Sequence, residues 1–412
     1  CLGDAGTWLS GGTPSKSNPE YWTGGLPWVS PKDMKVSRIR DAIDHVSEQS
    51  VGNGTRLVQP GTLLMVVRGM ILAHSFPVAI AERSVSFNQD MKALFPSEKF
   101  DAEFLMHWLQ SQTRNVLALV DSSSHGTKRL PTEPFFALSV PQPPLPEQRK
   151  IAAILSSVDE AIEKTQALID QVQVVKKGLM QELLTTGLPH RDRDFKSTGS
   201  GRIPGNWNMV TLGDLIEVGP TNGLYKHKND YGSGVPIVRI DAFQNGDEVS
   251  FVHSPRVRVA IDETVRFGVQ AGDILINRVN SLSHLGKAGL VTDISEIAVF
   301  ESNMMRIRVD ERRISSPFAF LCLTTDKARE HWLLRAKQAI AQASINQGDV
   351  KSFKIPLPPR QEQDEIVKIL SAHQVRYQLE KRKAEALRTL KSALSSLLLT
   401  GELRVRPDPG PA

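Results

Sequence analysis

Apolar residues recur at alternating spacings of three and four through two long proline-free stretches, separated by segments in which short apolar runs are cut by Gly, Pro, Asn and Asp. From Ile151, heptad core positions fall at Ile151, Ile154, Val158, Ala161, Thr165, Leu168, Val172, Val175, Leu179 and Glu182. Eight of these ten are apolar, which predicts a helix with a coiled-coil seam. The second stretch places Ile366, Ile369, His373, Arg376, Glu380, Lys383, Leu387, Leu390, Leu394 and Leu397 at the same positions, apolar at both ends and polar from His373 to Lys383. At a rise of 1.5 Å per residue each helix would be about 60 Å long. An isolated helix with such a stripe must find a partner, and the other stretch is the obvious one. Antiparallel pairing would place one globular domain at each end, a dumbbell with pseudo-twofold symmetry. Gly187 and Gly401 close the two helices.

The stretches belong to a duplication. Residues 141–156 read PQPPLPEQRKIAAILS and residues 356–371 read PLPPRQEQDEIVKILS, matching at nine of sixteen positions across an offset of 215. A period this long marks two copies of a whole domain with its following helix. Within the copies, Leu63–Val67 after Pro60-Gly61 and Ile274–Ile276 after Gly272-Asp273 read as buried strands. Phe100–Leu119 and Pro317–Leu334 carry helical spacing, so each half is α+β. The expected organisation is a first domain over 1–143, a helix over 144–187, a linker over 188–204, a second domain over 205–358, a second helix over 359–403 and a tail over 404–412. Leu2-Gly3-Asp4 recurs as Leu212-Gly213-Asp214, but the Ile203–Trp207 lead-in has no first-copy counterpart, which predicts a trimmed N-terminus.

Two cysteines, Cys1 and Cys322, in a chain of 412 residues argue against a disulfide framework and for a reducing, cytoplasmic setting. No apolar run reaches the length of a membrane span. The net charge of +5 is compatible with a polyanionic partner. Catalytic motifs are absent: there is no Walker A pattern and no paired metal spacing among the ten histidines. Asn18-Pro19-Glu20-Tyr21 is near the Asn-Pro-Pro-Tyr motif of amino-methyltransferases, but Glu20 replaces a proline and no Gly-rich cofactor turn accompanies it. A turn is the simpler reading.

Reading DNA needs phosphate anchors from Lys, Arg and small polar groups, and bidentate contacts from Arg, Asn or Gln to base edges. Candidates in the first copy are Lys16, Ser17, Asn18, Arg68, His74, Ser124, His125, Thr127 and Lys128. In the second they are Lys226, Lys228, Asn229, Arg239, Asn277, Arg278, Asn280, Ser344 and Asn346. Arg68 and Arg278 both follow the strand after a Gly turn and are expected at matching places. The plain alternative for any one of these is a solvated surface group. Trp22 and Trp28 read as core or turn packing rather than base stacking.

With Ser10-Gly11-Gly12-Thr13-Pro14, Asn18–Trp22, Pro27–Met34 and the twice-used Pro-Pro-x-x-Glu-Gln, the chain resembles, over essentially its whole length, the DNA-specificity subunit of type I restriction-modification systems. The resemblance implies two target-recognition domains, each reading one half of a bipartite, asymmetric site, with two helices fixing the gap. It implies a non-catalytic chain holding no cofactor or metal. Two methyltransferase subunits would bring S-adenosylmethionine to adenine N6, and motor-nuclease subunits would bring ATP and Mg. Docking is expected at Glu147, Gln148, Glu362, Gln363, His373, Arg376 and Glu380. Two other classes stay open: a two-headed coiled-coil scaffold without specific DNA reading, and a self-contained modification enzyme using Asn18–Tyr21.

Overall fold

The computed structural model describes residues 1–122, 126–189, 194–199, 201–340 and 342–406. The chain divides into two compact units, Cys1–Leu168 with Glu380–Ala412, and Ile169–Leu379.

In the first unit a five-stranded sheet runs in the order Gly6–Ser10, Met91–Pro96, Leu63–Val66, Val78–Ala81, Arg38–Ile39. Its pairs are antiparallel except the last, which is parallel. Leu63, Leu64, Met65 and Val66 are all buried, as a run apolar on both faces requires of a central strand. A second sheet orders Asp44–Val46, Leu26–Val29, Val85–Phe87 and Arg56–Val58. Asp101 caps the helix Ala102–Ser111 by accepting from the Phe104 N–H at 3.0 Å, and the helix lays Phe104, Leu105, Trp108 and Leu109 into the core. The helical stretch expected over Phe100–Leu119 breaks at Gln112 and resumes as Thr113–Ala118.

The second unit repeats this plan. Its five-stranded sheet orders Ile216–Asn222, Met304–Val309, Ile274–Asn277, Ala288–Leu290 and Asp247–Glu248, again antiparallel except for the last pair. Ser315 caps Ser316–Leu323 as Asp101 caps its counterpart, and Thr325 caps the continuation Asp326–Arg335. Both halves are therefore α+β with the same strand order, which is the duplication seen in three dimensions.

The long helices span Leu145–Leu183 and Arg360–Leu398, and each contributes to both units. Within each unit they run antiparallel. In the first, Lys391 Nζ meets Asp159 at 2.7 Å and Arg388 donates to Gln166 at 3.1 Å. In the second, Gln173 donates to the Tyr377 hydroxyl at 2.8 Å and Lys176 to Gln374 at 2.5 Å. Lys176 and Lys391 are 215 residues apart, as are Asp159 and Gln374, so one lysine contact is used twice.

The seam is shifted by one residue from the expected heptads at every second position. Leu155, Ile169, Leu183, Leu370, Ala384 and Leu398 are buried, whereas Val175, Leu390 and Leu397 are exposed. The contact rows are thus Ile151, Leu155, Val158, Ile162, Thr165, Ile169, Val172, Lys176, Leu179, Leu183 and Ile366, Leu370, His373, Tyr377, Glu380, Ala384, Leu387, Lys391, Leu394, Leu398. Much of the apparent polar centre of the second helix disappears, because Tyr377 and Ala384 stand where Arg376 and Lys383 were expected. Glu380 is buried and His373 half-buried on this seam, while Arg376 is exposed beside it.

The Glu-Gln pair of the repeated motif is also interior. Gln148 accepts from the Asp101 N–H at 2.9 Å and donates to the carbonyls of Lys99 and Pro143 at 2.9 and 2.8 Å. Gln363 accepts from the Ser315 N–H at 2.9 Å and donates to Arg313 and Pro358 at 3.1 and 3.0 Å. Glu147 takes a bidentate fork from Arg404 at 2.7 Å on both oxygens, and Glu362 accepts from the Trp207 indole at 3.1 Å. This corrects the docking assignment of Glu147, Gln148, Glu362 and Gln363: all four are buried and already bonded, so they offer nothing to an incoming subunit. Gly187 (φ 72°) and Gly401 (φ 81°) turn the chain out of the helices in the left-handed conformation.

Burial pushes the His107 imidazole down to about 4, with Lys391 and Arg38 opposing its charge and Asp159 and Glu103 favouring it. Its Nε2 lies 3.0 Å from the Ser156 hydroxyl. Above pH 6.5 the ring is neutral in both folded and unfolded chains. Below it the unfolded chain takes up a proton that the folded chain refuses until pH 4, so stability falls with pH across that window. The loss approaches about 3 kcal/mol for the single group. Urea midpoints at pH 7 and 4.5 for wild type and His107→Gln test this. An identical pH slope in the two proteins would remove His107 as the cause.

Candidate nucleic-acid interface

In the first unit the strand register gathers the candidates at one end of the five-stranded sheet. Ser10 pairs with Lys92 and Val66 with Met91, so the loop after Ser10, the segment after Val66 and the turn before Met91 emerge together. Val67 and Arg68 both donate backbone N–H to the Asp90 carbonyl, at 2.9 and 3.1 Å. The hairpin Asp121–Ser122 with Lys128–Arg129 joins this edge: Leu130 N–H bonds Val67, Gly69 N–H bonds the Lys128 carbonyl, and Arg68 bridges to Arg129.

Arg68, Arg129 and half-buried Lys128 are thereby neighbours, with exposed His74 at the end of the turn Met70–Ala73 that starts from Gly69. Lys128 Nζ donates to the Ser122 hydroxyl at 2.7 Å. Thr127 is half-buried in the same hairpin loop; Ser124 and His125 lie outside the described residues. Lys16 and Ser17 are exposed in the loop after Ser10. The tryptophans shape that loop: Trp22 and Trp28 meet edge to face at 5.2 Å and donate to the Ser15 and Gly12 carbonyls. Asn18 Oδ1 accepts from the Glu20 N–H at 3.1 Å and caps a single turn, which is the turn reading of Asn18–Tyr21. Lys92 adds a further cation, its pKa lowered by burial and by Arg129. It sits on a strand distant in sequence, where only the register reveals it.

The second unit builds the same end. Arg278 and Val279 both donate to the Asn303 carbonyl, and the Ile345 N–H bonds Arg278 as Leu130 bonds Val67. The structural equivalent of Arg278 is therefore Val67, and that of Arg68 is Val279: the two arginines are one residue out of step. A one-residue slip turns a side chain to the other face. Arg278 is accordingly half-buried, donating to the Ser302 carbonyl at 3.1 Å, while Arg68 is exposed.

Val279–Asn280 pairs with Ala343–Ser344, which pairs with Lys337–Gln338. Asn280, Ser344 and exposed Lys337 come together, and Lys337 escaped sequence reading. Lys228 and Asn229 are exposed in the loop that leaves Asn222. Three residues are less available than expected. Asn277 is fully buried in a central strand, its Nδ2 donating to Ile240, which corrects its assignment to DNA. Lys226 is tied to Glu263 at 2.6 Å. Asn346 Oδ1 caps the helix Gln347–Lys351 through the Gly348 and Asp349 N–H groups. Arg239 lies 3.6 Å from Glu301, whose carboxyl burial pushes up.

Among the described residues no group of three His, Cys, Asp or Glu is placed to hold a metal ion, and no helix is long and apolar enough to cross a membrane. Cys322 is buried, and that burial raises its thiol above the ordinary range.

Residues 1–174 and 204–389 match the family model described as the type I restriction modification DNA specificity domain. Over 179 residues the chain is 31% identical to the Escherichia coli EcoR124I/EcoR124II type I restriction enzyme specificity subunit, a match covering 43% of this chain and 44% of that one. It is 24% identical over 417 residues to the MjaVIII specificity subunit of Methanocaldococcus jannaschii, covering 98% of this chain and 92% of the relative. The crystal structure of a type I restriction-modification S subunit from M. genitalium shares the fold, with a TM-score of 0.59 at 15% identity over 97% of this chain and 94% of that one.

Proposed function

The chain belongs to the type I restriction modification DNA specificity domain family, and from that premise we propose that each unit reads one half of a bipartite duplex site while the long helices set the gap between halves. The observation that carries this reading is the repeated sheet end. In both copies the loop after the first strand, the segment after the central strand and a following hairpin belong to the same end of the sheet: Arg68, Lys128 and Arg129 are neighbours in one, with Lys16 in the loop after Ser10, and Asn280, Lys337 and Ser344 are neighbours in the other, with Lys228 and Asn229 in the loop after Asn222. Cations beside hydroxyl and amide groups are what phosphate anchoring and base reading need.

The chain itself is non-catalytic in this reading. Methyltransferase subunits bind S-adenosylmethionine and modify adenine N6, and motor-nuclease subunits use ATP and Mg. Support for docking on the helices comes from aliphatic side chains that the seam leaves outside: Val174, Val175, Val375 and Leu379 in the second unit, Leu390 and Leu397 in the first. Val175 and Leu390 are again 215 residues apart, as a pair of equivalent docking sites would require.

Mapping methyladenine across the genome of a host carrying the chain with its methyltransferase subunits tests the reading. The expected result is one motif with two fixed halves and one fixed gap; scattered or absent methylation would count for a scaffold without specific reading. At the level of residues, Lys128→Ala should weaken binding on all sequences alike and lower the salt slope of log K by about one. A changed base preference with an unchanged slope would make Lys128 a base reader instead.

A further inference from the structure

Gln148 and Gln363 each use one buried amide to tie two helices and the intervening loop at a single point. The amide oxygen takes the backbone N–H of the residue that caps a helix of the globular part, Asp101 or Ser315. The amide nitrogen holds the loop on one side, Lys99 or Arg313, and the proline lead-in of the long helix on the other, Pro143 or Pro358. Both glutamines are fully buried. An amide has one acceptor oxygen and two donors, and all three are engaged in the same way in both copies. Core packing alone would tolerate an apolar residue here; a side chain spending all its polarity on three backbone groups of two rigid elements fixes an angle.

We infer that Gln148 and Gln363 are positioning residues for the gap: they hold each reading head at one orientation to its helix pair and so restrict the protein to a single spacing between half-sites. The inference rests on the bipartite reading proposed above. A head of about 150 residues has a radius near 20 Å. A tilt of about 5° at the joint therefore carries its far surface, about 40 Å away, by about 3.5 Å, roughly one base-pair step. The adjoining glutamates reinforce the same joint. Glu147 grips Arg404 and the Val405 N–H after the second helix, and Glu362 grips Trp207 and, at 3.4 Å, the Leu188 N–H after the first.

The test is methyladenine mapping with the full chain and its methyltransferase subunits, comparing wild type with Gln148→Ala, Gln363→Ala and Arg404→Ala. Arg404 is two-thirds exposed, so its loss opens no cavity in the core, and urea midpoints of all three variants against wild type separate a widened gap from misfolding. With wild type confined to one gap, each variant is expected to keep both half-sites and to modify sites one base pair longer or shorter at least about tenfold above wild type. A merely structural role would lower modification at every site without widening the gap. That outcome, or an unchanged single gap in all three variants, overturns the inference. Absence of any bipartite motif in wild type would instead overturn the functional reading beneath it.

Discussion

Adding one heptad to each long helix, after Gln166 and after the equivalent Lys381, is expected to lengthen the gap by about three base pairs and leave both half-sites unchanged. Seven residues at 1.5 Å rise add about 10.5 Å, and a base pair rises about 3.4 Å. The observed seam dictates the size of the insertion. Spacings of four and three alternate without interruption from Ile151 to Leu183 and from Ile366 to Leu398. Only a multiple of seven in both helices keeps the apolar rows facing each other; four residues in one helix would rotate everything beyond it and break the Lys391–Asp159 or Lys176–Gln374 contact. Modification of the original site should fall to background as the longer site appears. If methyltransferase subunits guided by the longer protein still modify the original spacing, the helices do not set the gap.

Trp207→Ala should cost the second unit about 3–5 kcal/mol, the range for truncating a buried aromatic. Trp207 is fully buried among Leu183, Leu188, Leu212 and Ile366, and its indole N–H is a partner of the buried Glu362 carboxyl. Removing it opens a cavity and deprives that carboxyl of a donor. A domain with a total stability of about 5–15 kcal/mol would lose much of its margin. Because the two units have separate cores, the damage should be local. Amide exchange should accelerate in the core strands Ile274–Asn277 and Met304–Val309 far more than in Leu63–Val66 and Met91–Pro96. Equal acceleration in both would show that the units unfold as one. Trp207→Phe keeps most of the ring and loses the N–H, so its smaller cost isolates the bond to Glu362.

Both of these expectations depend on features that differ in how far the chain's one-dimensional pattern reveals them. The duplication, the α+β halves, the paired long helices, the central strands and the glycine ends are legible in the sequence, because each rests on local periodicity or on a turn residue with a conformational requirement. The phase of the helical seam is not. In the first helix Ile154 and Leu155, Ala161 and Ile162, and Leu168 and Ile169 are adjacent apolar pairs, so either choice of row gives eight apolar residues in ten. Periodicity cannot separate rows one residue apart. The partner helix and the packed domain bury Leu155 and Ile169 more completely than Ile154 and Leu168, and leave Val175 exposed.

The same limit applies to the polar residues. Glu147, Gln148, Glu362 and Gln363 stand out in the sequence as a charged and amide-bearing repeat and invite a surface role. Tertiary structure turns them inward, because backbone groups at the domain caps and helix starts need partners once buried. Asn277 has the composition of a base reader and sits inside a central strand; Lys92 and Lys337 reach the candidate interface only through strand register. The amino-acid sequence determined the elements, their repetition and the family to which the chain belongs. Which face each element buries, and which polar groups remain free to meet DNA, was decided only by long-range packing, since burial depends on neighbours far away along the chain.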